Sequence, residues 1–433
     1  MSPPRLLLEV YLVLILLGTL LLKLPWATHE PVSWLEAAFT ATSGVTVTGL
    51  IVVDTGSQYT VFGQLVILTL IQLGGLSLMA FAVLTALALG FRFGLTQQMV
   101  AREALNEVSF KSTRRAYISI ALFALTVEAL GFLVLAGFFV PEIGWGDGLW
   151  HAFFYTISAF NNSGFALSPD SLSAYVSHSG ISLTISFLFI TGGLGYIVVR
   201  ELIEKRSFSR LSVYARLILI TTLALNVIAT LAFLVLEYGN PLTLGNIESL
   251  SGKLLASWFQ GTTPRTAGFN TVHIGSVTMA TSVLFLLLMF IGGAPNSTAS
   301  GIKLSAFVIL LATTRAFLQG NTHVTVLKRS LTRETITKAL ALATIAMAII
   351  FLGIFALTIS VKAEFLDIAF EVVSAFGTVG LSRGATSELG SFGQLVIMVI
   401  MLVGRVGPLT LGYALTVRRK AHMRYAKVEF PVG

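Results

Sequence analysis

The 433-residue chain has no cysteine, six histidines, and charge on only 11% of its residues. Without cysteine there is no disulfide framework, no thiolate metal site and no thiol nucleophile. So little charge leaves too little polar surface for a soluble protein of this length. No Gly-Lys-Ser/Thr follows a glycine-rich string at P-loop spacing, and no aspartyl-phosphate motif is present. Histidines and carboxylates do not cluster in the apolar runs, where Glu128 is the chief acidic residue, which argues against a proton relay. An enzyme or an ATP-driven pump is therefore not expected.

What is present is apolar: 55% hydrophobic residues and a mean hydropathy of +0.86. This composition reads as a polytopic membrane protein. The run Leu6 to Leu24 follows Arg5 in the manner of a signal peptide, but it lacks a small-residue cleavage site and is long enough to span. It is expected to be a retained first helix. Eight spans are expected, at about 5–24, 60–90, 116–140, 180–200, 212–238, 276–318 (interrupted), 335–361 and 391–417.

Basic residues sort by side. Four polar segments carry five each: Arg92, Arg102, Lys111, Arg114 and Arg115; Arg200, Lys205, Arg206, Arg210 and Arg216; Arg315, Lys328, Arg329, Arg333 and Lys338; Arg418, Arg419, Lys420, Arg424 and Lys427. These are 20 of the 28 Lys and Arg, so both termini are expected in the cytoplasm. A basic patch for nucleic acid would not alternate with spans.

Four short segments end alike, in a glycine followed by a large apolar residue: Gly49-Leu50, Gly164-Phe165, Gly268-Phe269 and Gly380-Leu381. Ten positions before each glycine stands an aromatic residue (Phe39, Phe154, Trp258, Phe370), and six before it a Ser or Thr (Ser43, Ser158, Thr262, Ser374). Stretches of about 12 residues precede them (33–44, 148–160, 249–262, 364–376), too short to cross a bilayer. Helix starts are expected at Ser33, Asp147, Glu248-Ser249 and Ala363-Glu364. Ordinary extracellular loops would not repeat in register four times. The chain is thus expected to be all-α and polytopic, with four pseudo-symmetric helix–pore loop–helix repeats around a central pore. The repeats are 1–90, 91–204, 205–320 and 321–417, followed by a cytoplasmic tail at 418–433.

Backbone carbonyls ringing an axis can replace the water around a cation, and helix C-termini pointing at the bilayer centre favour positive charge there. Thr46, Val47, Thr48 and Gly49; Asn161, Asn162, Ser163 and Gly164; Thr266, Ala267 and Gly268; and Thr378, Val379 and Gly380 are the candidate ion-binding residues. Arg265 is expected to point away from the axis and anchor its loop. Asp54 and Asp170 either gather cations at the mouth or are solvated loop carboxylates.

The sixth span is broken by Gly292, Gly293, Ala294, Pro295, Asn296, Ser297, Thr298, Ala299, Ser300 and Gly301, which will not stay helical. Beneath a filter this segment reads as a gate, or otherwise as a simple kink. Arg405 is the most costly charge in the membrane. It either acts with the broken span as barrier or clasp, or pairs with Glu128. Lys303, at the end of the broken stretch and counted with the gate, can snorkel to the cytoplasmic face.

Thr46-Val-Thr-Gly-Leu50, Asn162-Ser-Gly-Phe165, Arg265-Thr-Ala-Gly-Phe-Asn270, Gly377-Thr-Val-Gly-Leu-Ser382 and Gly404-Arg-Val-Gly-Pro408 together resemble the Trk/Ktr/HKT superfamily of cation transporters. Its members resemble four fused potassium-channel units. Eight spans make the chain similar to the KtrB-type membrane subunits rather than to TrkH. The resemblance covers essentially the whole chain. It implies K⁺ uptake at the bacterial plasma membrane, often Na⁺-dependent, by homodimers with one pore per protomer. It also implies regulation by a cytoplasmic KtrA-like ring that binds nucleotides, with no covalently bound cofactor. The family's gating loop maps to 292–302, its filter-proximal arginine to Arg405, and its dimer-packing apolar tail to Val428-Glu-Phe-Pro-Val-Gly433. The second loop departs from the family's more usual Asn-Ser-Val-Gly string. Glycine at 49, where Na⁺-selective plant relatives have serine, implies K⁺ over Na⁺.

Overall fold

The computed structural model of the chain describes residues 3–76, 110–295 and 297–407. Fourteen main helices are described there. They are α1 (Pro3–Leu22), α2 (Trp34–Thr46), α3 (Val61–Gly75), α4 (Phe110–Ile143), α5 (Trp145–Phe160), α6 (Ser179–Leu194) and α7 (Tyr196–Lys205). Then come α8 (Val213–Glu237), α9 (Leu250–Thr262), α10 (Met279–Phe290), α11 (Leu304–Leu318), α12 (Arg333–Ser360), α13 (Phe365–Gly377) and α14 (Ser391–Val406). A two-residue antiparallel hairpin, Thr325–Val326 with Arg329–Ser330, is a small departure from an all-α fold. Its turn residues Leu327 and Lys328 both have positive φ, the handedness that tight hairpins favour.

Among the described residues, α8, α12 and the Ile118–Ile143 part of α4 are long and apolar enough to cross a membrane alone. The expected fourth span is not straight: α6 and α7 meet at a 99° bend. Gly195 sits at the bend with φ +77, after Gly192 and Gly193, so the helix cannot run through. The expected sixth span is two helices, α10 and α11. The second halves of the spans at 60–90 and 391–417, the fourth basic set and the 428–433 tail lie outside the described residues.

The four short helices α2, α5, α9 and α13 lie where the sequence places them. Ser33 caps α2 through a reciprocal box with Glu36, Ser33 N–H donating to Glu36 Oε2 at 2.6 Å. Ser249 caps α9. Helix α5 begins at Trp145, two residues before Asp147, with Gly144 (φ +88) as its cap. Glu364 precedes α13 without a side-chain cap bond. Every residue from Ile368 to Gly377 of α13 is buried, whereas Phe351 and Ile359 of α12 are exposed. An apolar outer face around buried short helices is the arrangement a lipid solvent stabilises.

The packing is cyclic. Helix α3 packs on α5, α6 on α9, α10 on α13, and α14 returns to α2. Each apolar helix that follows a short helix thus leans on the short helix of the next segment, and the last leans on the first.

Candidate functional site

The site begins with an alternation of backbone handedness. Two residues before each glycine the chain is left-handed: Val47 (φ +56), Asn162 (+60), Thr266 (+75) and Thr378 (+47). The glycines follow at φ +86, +73, +80 and +93, while Thr48, Ser163, Ala267 and Val379 between them are not left-handed. Alternating handedness in a near-extended segment turns successive carbonyls to one side. A non-glycine residue held left-handed costs about 1–2 kcal/mol, and Val47, Thr266 and Thr378 are β-branched, the least tolerant type. Strain of this kind persists only where the surroundings fix it.

The four glycines close on one another. A Cβ built on Gly49 would overlap the Ser163 carbonyl, one on Gly164 would lie 2.9 Å from Gly268 Cα, one on Gly268 would overlap the Val379 carbonyl, and one on Gly380 would overlap the Thr48 carbonyl. Each loop therefore meets the next in chain order, and the fourth meets the first. Any larger residue would push a neighbouring carbonyl out of place. A cavity of about 320 Å³ touches all four glycines together with Asp170. Asp54 instead caps the one-turn helix Thr55–Gln58, accepting from Ser57 N at 2.8 Å.

Hydroxyls behind the loops hold this geometry. Ser43 Oγ accepts from Gly49 N at 3.0 Å, and Ser374 Oγ accepts from Gly380 N at 3.1 Å. Ser158 Oγ donates to the Phe165 carbonyl at 2.7 Å. The third loop corrects the sequence reading by one residue. Thr263, not Thr262, donates to the Phe269 carbonyl at 2.6 Å, while Thr262 bonds only within its own helix. Likewise Ala267 N reaches the Thr263 carbonyl, as Ser163 N reaches that of Ser158, and Phe259 is fully buried where Trp258 is only partly so. The third loop is one residue shorter between its hydroxyl and its glycine. The residues after the glycines, Leu50, Phe165, Phe269 and Leu381, are all buried in the surrounding core.

The residues three before each glycine differ in role. Thr46 closes α2 and shares a 2.8 Å hydroxyl contact with Thr48. Asn161 ends α5, and its Nδ2 faces Gln72 Oε1 (2.8 Å) and Glu128 Oε1 (3.2 Å). Arg265 donates to Asn226 Oδ1 at 2.8 Å in α8, the anchoring expected of it. Gly377 has no side chain to use.

The segment between α10 and α11 packs directly on this ring. Gly292 N donates to the Ile302 carbonyl (2.9 Å), Leu304 N to that of Gly293 (3.0 Å), Ala294 N to that of Gly193 (3.0 Å) and Thr298 N to that of Gly192 (3.3 Å). Tyr214 donates to the Pro295 carbonyl, Ser297 to that of Ala294, and Gly301 turns with φ +70. Thr298 Oγ1 reaches Asn162 Oδ1 at 2.7 Å, joining the segment to the second loop. Asn296 and Pro408 lie outside the described residues. The break at Gly192-Gly193-Leu194-Gly195 was missed from the sequence, although three glycines in four residues are a breaker signal.

Arg405 does not pair with Glu128. It donates to the carbonyls of Thr298 and Gly74, and to Ser300 Oγ at 3.0 Å, clasping the segment to α3. Lys303 does not snorkel: its ammonium donates to the Ala299 carbonyl at 2.6 Å. A lysine one turn after that carbonyl satisfies it more cheaply than water could reach it.

Residues 9–423 match the TrkH family, described as cation transport proteins. The chain is 46% identical to Ktr system potassium uptake protein B of Bacillus subtilis, over all of this chain and 97% of the relative. It is 40% identical to the Vibrio alginolyticus protein of the same name (95% and 91%) and 34% identical to potassium/sodium uptake protein NtpJ of Enterococcus hirae (100% and 98%). The fold is similar to the crystal structure of the potassium transporter TrkH from Vibrio parahaemolyticus, with TM-score 0.72 and 18% identity, covering 94% of this chain and 85% of that one. The relatives are named as transport proteins, not enzymes. This chain belongs to the TrkH/Ktr family of cation transport proteins.

Proposed function

We propose that the chain is the ion-conducting subunit of a bacterial potassium uptake system. The observation that carries this reading is the closed ring of four left-handed glycines, each against the next loop's backbone. Carbonyls turned to one side on four such loops would replace the hydration of a K⁺ ion, with the Ser and Thr hydroxyls behind them holding the spacing. The segment 292–302 would act as an intramembrane gate under this filter, clasped by Arg405. The basic segments that alternate with the apolar runs support a cytoplasmic side for both termini.

Relatives named as protein B of a Ktr system favour a regulatory partner, proposed to be a KtrA-like nucleotide-binding ring under a homodimer. The relative named for both potassium and sodium favours Na⁺ as an activator, and keeps a Na⁺-preferring or unselective pathway of the same fold as the second reading. The test is K⁺ uptake in a bacterium lacking its own K⁺ uptake, with and without external Na⁺ and the partner. Restored growth at low K⁺ is expected. Equal Na⁺ and K⁺ permeation would refute the K⁺ assignment.

A further inference from the structure

Transport as proposed leaves one buried acidic group in α4 without a task. Glu128 is 7% exposed. Its carboxylate accepts from Gln72 Nε2 at 3.0 and 3.1 Å and from Asn161 Nδ2 at 3.2 Å. Among the described residues it forms no ion pair, and Arg405 is committed elsewhere. A carboxylate inside a membrane with only amide donors is costly and is retained where something depends on it.

What it holds here is Asn161, the last residue before the left-handed Asn162, both directly and through Gln72, whose Oε1 also accepts from Asn161 Nδ2 at 2.8 Å beside the Ile157 carbonyl at 2.9 Å. Holding Asn161 fixes where the second wall of the ring begins. It also fixes the point where that wall meets the broken segment, through Thr298 on Asn162. None of the other three loops has a carboxylate bonded to the residue three before its glycine: there the fixings are a hydroxyl pair at Thr46, an amide on Arg265, and none at Gly377.

We propose that Glu128 is a positioning residue for ion selection: acting through Asn161, it holds the second wall in the shape that passes K⁺ in preference to Na⁺. This rests on the filter reading above. The test measures K⁺ and Na⁺ fluxes of the full chain in liposomes, because their ratio does not depend on how much protein inserts. Glu128→Gln replaces one acceptor by an NH₂: in place of Oε2 it faces the Gln72 donor, in place of Oε1 it faces Gln72 and Asn161 together, so the Gln72–Glu128–Asn161 network cannot keep all its bonds. Its K⁺/Na⁺ ratio is expected to fall about fivefold, the factor corresponding to one net hydrogen bond. Asn161→Ala should show the same fall, and the double variant no more than either single one.

A wild-type ratio in Glu128→Gln overturns the proposal. So does an additive double variant, which would make Glu128 a point charge acting through space. If Glu128→Gln fails to insert, Glu128→Asp, one methylene short of Asn161, takes its place in the same cycle with the same two outcomes. Gly49→Ser is run alongside. An unchanged ratio there refutes the filter reading itself, whereas a changed ratio there with an unchanged Glu128 variant refutes only this proposal.

Discussion

Replacing Arg405 by methionine should open the proposed gate. Methionine keeps much of the arginine's length but none of its donors, so the Thr298 carbonyl and Ser300 Oγ lose the partner that ties them to α14. The Gly74 carbonyl on α3 loses it too. A hydrogen bond to a charged group contributes about 1.5–3 kcal/mol. Two such bonds reach the segment, and removing a half-buried guanidinium returns part of their worth as relieved desolvation. A net loosening of about 2 kcal/mol remains, which multiplies the open-to-closed ratio about 30-fold. The assay is K⁺ flux into liposomes without any partner, normalised to inserted protein. A rise of that order is expected while the closed state dominates. Wild-type flux from well-folded Arg405→Met protein would refute the clasp.

Three further outcomes follow from the same geometry. Gly49→Ser should weaken K⁺ preference over Na⁺, since its Cβ would displace the Ser163 carbonyl; ion competition in flux measures it. Shortening 294–300 should raise flux if the segment obstructs the path, and unchanged flux from folded protein would count against a gate. Thr263→Val should lower the unfolding temperature and the K⁺/Na⁺ ratio by removing the bond to Phe269, worth about 1 kcal/mol, while Thr262→Val should be near neutral in both; equal effects would refute the shifted register.

The sequence carried the short helices and glycines well because their signals are local: a capping Ser33 with Glu36 and a glycine that only a left-handed backbone requires. Counting back from Gly268 failed by one residue because adjacent pairs, Trp258-Phe259 and Thr262-Thr263, satisfy either register; burial and hydrogen bonding decide between them. For Arg405 the sequence left two alternatives, and the structure has the clasp on the broken span rather than the ion pair. An ion pair with Glu128 and a clasp on backbone carbonyls demand the same arginine, and carbonyl acceptors leave no mark in a sequence. The snorkelling expected of Lys303 failed for the same lack of a mark, its partner being a main-chain oxygen one turn back. The 99° bend at Gly195 was legible in principle, but the apolar run around it dominated the reading.

The four loops share one backbone conformation and four different supports, and this difference bears on selectivity. Alternating left-handed residues cost about 1–2 kcal/mol at each non-glycine position, so each wall stays in shape only as firmly as its support holds it. The first wall rests on the Thr46–Thr48 hydroxyls and the second on Glu128 through Asn161. The third is tied to α8 by Arg265. On the fourth, the buried Glu371 holds Ser382 and, at 2.6 Å, Thr386, just past Gly380. A symmetric ring would relax symmetrically around a smaller ion. Here, among the described residues, the second wall alone is also bonded to the broken segment, through Asn162 and Thr298. Under the proposed function, movement of that segment would pull on one side of the ring first, so the proposed gate and filter would meet at Asn162, and a variant that frees Thr298 should disturb flux and ion choice together.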